Sequence, residues 1–126
     1  MIVAVDTSSL VAYLGGATGD DVVLVDEYLA WGVVVLPPVV VVEILSDPRL
    51  PAPLVRFINS LPVLDVHKGY WERAARLRAK VISKSLKSRL GDVLIAQSCI
   101  DHKARLLSRD KDFRHYAKYG SLVLNH

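Results

Sequence analysis

Apolar positions along the chain fall into short blocks that alternate between strand-like runs and helical spacing. Residues 1–5 are a short β-type apolar run ending in Asp6-Thr7-Ser8, which suit the cap of a helix over residues 9–14 stopped by Gly15-Gly16. Asp20-Asp21 starts a second helix reaching about Trp31, since Val22, Val25, Tyr28 and Leu29 recur at helical spacing and Gly32 ends it. Residues 33–36 read as a buried strand. After Pro37-Pro38, the valines of residues 39–46 favour strand. A proline in the first helical turn followed by Glu43-Ile44-Leu45 equally fits a short helix ended by Asp47-Pro48. Local propensity leaves both open. Residues 53–61 carry Leu54, Phe57, Ile58 and Leu61 at helical spacing, and residues 62–66 read as a third strand. Residues 67–84 predict a long helix with Trp71, Ala74, Leu77, Val81 and Ile82 on its buried side. Gly91-Asp92 opens another helix to about His102, so apolar around residues 93–96 that it should be central. Residues 105–108 are a fourth strand, 110–116 a turn or short helix, and 121–124 a fifth strand.

Short strands alternating with helices predict an α/β fold, a parallel sheet covered on both faces. In such folds functional groups gather at the carboxyl ends of the strands. Asp6 follows the first strand, Glu43 follows the second after a short connection, and Asp110 follows the fourth. Asp92 begins the central helix, whose N-terminus could point to the same edge.

The chain has 126 residues, which suits one domain over 1–126, and with 52% hydrophobic and 23% charged residues it can bury a core. Its longest apolar runs, such as residues 33–42, are too short to span a bilayer. The N-terminus has no basic region and Asp6 interrupts its apolar run, so no signal peptide is expected and the cytoplasm is the expected location. The one cysteine, Cys99, excludes an internal disulfide framework and a cysteine zinc cluster; on an apolar helix it reads as a buried thiol.

Charge changes the picture more. The net of +3 hides a split, with seven acids and two bases over residues 1–63 against six acids and fourteen bases over 64–126. Between Arg73 and Arg89 there are seven bases and no acid. Such a segment, including Arg76, Lys80, Lys84, Lys87 and Arg89, either attracts polyanions such as nucleic acid or is simply a solvated face.

Gathering four carboxylates is costly without compensation, most simply from a divalent cation. Oxygen-only ligands favour Mg²⁺ or Mn²⁺ over zinc, and such a site keeps room for a phosphate oxygen and an attacking water. Each acid also has a plainer reading. Asp6 and Asp92 could be helix caps, Glu43 a surface residue despite apolar flanks, and Asp110 and Asp112 members of a charged turn. Thr7 and Ser8 could orient metal-bound water or substrate, but capping is the role expected of them. His67, His102, His115 and His126 show no ligand spacing, and surface positions are expected for them. There is no phosphate-binding glycine loop and no readable Ser–His–Asp arrangement.

Four segments occur together in order: Val3-Ala4-Val5-Asp6-Thr7-Ser8, Pro38-Val39-Val40-Val41-Val42-Glu43-Ile44-Leu45-Ser46, Gly91-Asp92-Val93-Leu94-Ile95-Ala96, and Leu106-Leu107-Ser108-Arg109-Asp110-Lys111-Asp112-Phe113. In their order and spacing they resemble the PIN-domain family, most of all the VapC-type ribonuclease toxins of type II toxin–antitoxin pairs. The resemblance covers nearly the whole chain. It implies a three-layer α/β/α domain with a central parallel sheet of four to five strands, and a helix over residues 39–46. It implies that Asp6, Glu43, Asp92 and Asp110 hold Mg²⁺ or Mn²⁺ for hydrolysis of RNA, with Thr7, Ser8, Ser108 and Asp112 around them. Ser108 stands where the family more often has Thr. It further implies a homodimer and a small VapB-type antitoxin as partner. The consecutive apolar residues 22–25 cannot all face one core, which adds modest support for a contact surface within residues 12–31.

Two other classes compete. One is a PIN-like scaffold that binds RNA or protein without catalysis, against which the intact quartet argues. The other is a phosphatase or phosphoacceptor domain. Ser8 argues against a phosphatase using Asp6, because it stands where a second Asp would be required, and a phosphoacceptor domain would want an acidic pair after the first strand as well as the phosphoacceptor position that Asp65 could fill.

Overall fold

A computed structural model of the chain describes residues 1–125; His126 lies outside the described residues. Apolar runs of two or three residues form the sheet, β1 (Val3–Val5), β2 (Val34–Val35) and β3 (Arg105–Leu107), in the order β2-β1-β3 with both pairings parallel. Val3 stands opposite Val34 on one side and Arg105 on the other. All three residues of β1 are fully buried, as a central strand covered on both faces requires.

The expected third and fifth strands shrink to single parallel bridges, Leu36 with Val63 and Leu106 with Leu124. Among the described residues the sheet therefore has three strands, with one bridge extending each edge. Around Val63 the contact is limited to Leu36 N–H to the Pro62 carbonyl (2.8 Å) and Leu64 N–H to the Leu36 carbonyl (2.9 Å). Pro62 has no N–H to lengthen that ladder.

Seven helices surround the sheet among the described residues: α1 (Thr7–Leu14), α2 (Asp20–Trp31), α3 (Pro38–Leu45), α4 (Ala52–Ser60), α5 (Tyr70–Ser83), α6 (Leu90–His102) and α7 (Arg114–Tyr119). The valine-rich segment is helical, with Pro38 in its first turn, where a missing N–H costs nothing. Burial of Val40 and Ile44 four residues apart outweighs the strand propensity of its neighbours. Helix α6 is the central one, with Val93, Ile95, Ala96 and Cys99 buried. Burial pushes the Cys99 thiol up to about 12, in keeping with an inert core residue.

Helix α5 starts at Tyr70 rather than at His67, because Gly69 turns left-handed (φ +82°) ahead of it. Its buried stripe is Tyr70, Ala74, Leu77 and Val81. Trp71 and Ile82, expected inside, are 62% and 48% exposed. They belong with Ala75 and Arg78 to the adjacent stripe, one residue round the helix, which lines an open apolar groove of about 530 Å³ against Leu90, Val93 and Leu94 of α6. On α2, Val25 is buried, Val22 and Leu24 are half-buried, and Val23 and Trp31 are exposed. No helix among the described residues is long and apolar enough to cross a membrane.

Candidate active site

Parallel pairing puts the carboxyl ends of β1, β2 and β3 on one edge, and each is followed by an acid-bearing segment. Asp6, the residue after β1, caps α1 and is 3% exposed. Its Oδ1 accepts the Ser9 amide (3.0 Å), while the Ser8 and Ser108 hydroxyls donate to Oδ2 at 2.8 and 2.6 Å. Burial raises its pKa; the bonds from Ser108, Ser9 and Ser8 oppose that rise, and the charge of Asp110 adds to it.

The other three acids line the same pocket of about 340 Å³, together with Thr7, Ser8, Val11, Arg89 and Ile95. Glu43 reaches it from α3, steadied by the Thr7 hydroxyl donating to Oε1 at 2.6 Å. The α6 terminus packs beside Glu43, at a distance where a β-carbon on residue 91 would make ordinary van der Waals contact, 3.4 Å from Oε2. Asp92 lies in the first turn of α6, and its pKa is pushed up to about 6. Burial is the main cause, the charges of Asp110, Asp6 and Glu43 add to it, and Arg89 opposes them. Asp110 caps the 3₁₀ turn Lys111–Phe113 by accepting the Asp112 amide at 2.9 Å.

Ser108 ties two of the acids together, since its hydroxyl donates to Asp6 and accepts the Asp110 amide (2.9 Å). Thr7 and Ser8 likewise touch the carboxylates; they lie in the first turn of α1, and the capping expected of them falls to Asp6 alone. Asp112 is exposed, donates its amide to Asp110 and is not among the residues that line the pocket. His102 bonds the Asp65 carbonyl and packs on His67, away from the pocket. Arg76, Lys80, Lys84 and Lys87 are exposed on α5 and the loop after it, whereas Arg89 stands at the pocket itself.

Sequence reasoning missed the brace behind Asp110. Arg109 grips Asp21 of α2 with two prongs (2.8 and 3.1 Å), and Ser9 bridges them by donating to Asp21 and accepting the Arg109 amide. The Arg109 bond holds the Asp21 carboxyl below its usual range. The pair spans 88 residues of sequence, so no local spacing announces it.

Among the described residues, no three acidic, histidine or cysteine side chains are drawn into a ready-made metal cage. Unscreened carboxylates repel one another, and Mg²⁺ keeps several waters and needs only one or two direct carboxylates. An all-oxygen donor set, in which burial makes Asp6 and Asp92 less ready to ionise, fits a hydrated Mg²⁺ or Mn²⁺.

The family model described as the PIN domain matches residues 3–119. The chain belongs to the PIN-domain family. Among solved structures, this PIN domain is similar to a chain of VapBC2 from Rickettsia felis, crystallised bound to a DNA fragment from its promoter, with TM-score 0.75, 22% identity, and 99% of this chain and 98% of that one covered. It is also similar to a chain of FitAcB from Neisseria gonorrhoeae, with TM-score 0.71, 16% identity, and 98% and 97% covered. At these identities the likeness is one of fold. Comparison with curated protein sequences gives no match.

Proposed function

We propose that this PIN domain is a metal-dependent endoribonuclease, the toxin of a toxin–antitoxin pair acting in the cytoplasm. The observation that carries the reading is the pocket itself: Asp6, Glu43, Asp92 and Asp110 share it, and burial, with the charges of the neighbouring acids adding to it, lifts Asp92 to about 6. A divalent ion held by these residues would supply positive charge for the phosphoryl oxygens and a more acidic water. The chain's own contribution is to hold the donors. Ser8 and Ser108 fix both oxygens of Asp6, Thr7 fixes Glu43, and the Arg109–Asp21 brace fixes the loop that carries Asp110. The basic run on α5 and the following loop would hold the phosphate backbone of the RNA.

Two surfaces support the partners. A groove of about 250 Å³ between α1, α3 and α4, lined by Val11, Leu14, Ile44, Leu50 and Leu54, includes Glu43 and so opens onto the acidic pocket. It suits an apolar antitoxin segment ending in a basic side chain among the carboxylates. The exposed apolar face of Trp71, Ile82 and Leu90 suits a second copy of the chain.

The decisive experiment is cleavage of tRNA, rRNA and mixed-sequence RNA with Mg²⁺ or Mn²⁺. Asp6→Asn and Asp92→Asn, which remove a charge with little change of shape, should each nearly abolish turnover while the far-UV circular dichroism stays native. Undiminished cleavage in excess EDTA would overturn the mechanism. Retained RNA binding with no cleavage by the wild type would assign the domain to the binding-only class.

A further inference from the structure

The bases of the 73–89 run are not equivalent. Arg76, Lys80, Lys84 and Lys87 are exposed and absent from the pocket wall, while Arg89 is the one Lys or Arg, among the described residues, that lines the carboxylate pocket. It forms no ion pair with any of those acids; the salt bridges of the described residues are Arg73–Asp101 and Arg109–Asp21. Its charge is felt by Asp92 three residues on, yet its guanidinium remains available to a ligand.

The backbone behind Arg89 is unusually well held for an exposed loop. Ser88 is 6% exposed, and its hydroxyl shares a 2.7 Å hydrogen bond with the hydroxyl of Tyr116, a residue of α7 that is 1% exposed. From the other side, Nε of Arg78 on α5 donates to the Ser88 carbonyl at 3.1 Å. Arg89 then caps α6, with its carbonyl accepting the Val93 amide. Helices α5, α6 and α7 therefore converge on the residue pair 88–89. A base that only had to lie somewhere along an RNA backbone would need no such anchorage.

We propose that Arg89 contacts the phosphate at which cleavage occurs, and that the Ser88–Tyr116 bond positions it there. The inference rests on the ribonuclease reading above. A planar guanidinium can take two non-bridging oxygens of one phosphate, and it spreads positive charge where negative charge builds in the transition state. The lysines earlier in the run serve affinity, whereas Arg89 serves turnover.

The test is single-turnover and steady-state cleavage of one mixed-sequence RNA with Mn²⁺, by the wild type, Arg89→Met, Arg89→Lys, Tyr116→Phe and the double variant Arg89→Met/Tyr116→Phe. Arg89→Met should lower kcat on the order of a hundredfold, with KM moving much less, and Arg89→Lys should recover part of the loss. Tyr116→Phe, which deletes one oxygen, should lower kcat severalfold in the wild-type background and have no further effect beside Arg89→Met. An Arg89→Met enzyme with normal kcat and raised KM would make Arg89 an ordinary backbone contact. Normal kcat with a lowered Tm would make it a counter-charge to the acids. A Tyr116→Phe loss that persists in the double variant would make the hydroxyl bond purely structural. Any of these overturns the proposal while leaving the nuclease reading intact; a wild type that cleaves no RNA overturns both.

Discussion

At the scale of single residues, the site is a set of acids held in place by hydroxyls. Asp6 keeps its place because three donors satisfy a buried carboxylate. Asp92 has no such set of donors and answers with a pKa of about 6 against an ordinary 3.8. A carboxyl whose folded pKa is raised favours folding while it is protonated. That contribution is complete below 3.8 and is lost as pH rises through about 6. The metal-free protein should therefore lose Tm between pH 4 and pH 7. Asp92→Asn, a neutral stand-in for the protonated acid, should be the more stable protein at pH 7 and gain little at pH 4. Differential scanning calorimetry in EDTA across that range checks it, and a wild-type and variant pair with parallel pH profiles would count against the assignment.

At the scale of elements, α5 divides its labour by face. Tyr70, Ala74, Leu77 and Val81 pack inward, while Arg76, Lys80, Lys84 and Lys87 on the helix and the loop after it stay in water. Each lost phosphate contact should flatten the log–log salt dependence of RNA binding by up to about one unit. Replacing Arg76, Lys80, Lys84 and Lys87 with alanine should weaken affinity and flatten that slope, as read by filter binding from low to moderate salt. An unchanged slope would return these residues to the solvated face that their composition alone equally allows. The periodicity of this helix identified its inner stripe but extended it to Trp71 and Ile82, because a 3.6-residue pattern reports which positions are apolar and not which neighbour covers them.

At the scale of the whole molecule, the apolar groove between α5 and α6 and the one between α1, α3 and α4 lie open. The proposed assembly predicts a mass twice 13.9 kDa by light scattering at micromolar concentration, reduced toward the monomer by Leu90→Asp. A 13.9 kDa species at every concentration would reject the homodimer. Co-expression with a neighbouring small reading frame should yield a stable complex with suppressed ribonuclease activity, and failure to co-purify would reject the antitoxin half.

The order of strands and helices, the acids at the strand ends and the basic run were all legible in the residues, because they depend on local period, caps and charge. The four motifs in order pointed to the family, and that resemblance, not propensity, selected helix for the valine segment that burial of Val40 and Ile44 stabilises. Only the tertiary structure reduced two edge strands to bridges, separated Arg89 from the other bases and joined Arg109 to Asp21 and Ser88 to Tyr116. Those contacts join residues far apart in sequence, and the packing of helices on a shared sheet edge, not the identity of the neighbouring residues, decides which distant side chains meet.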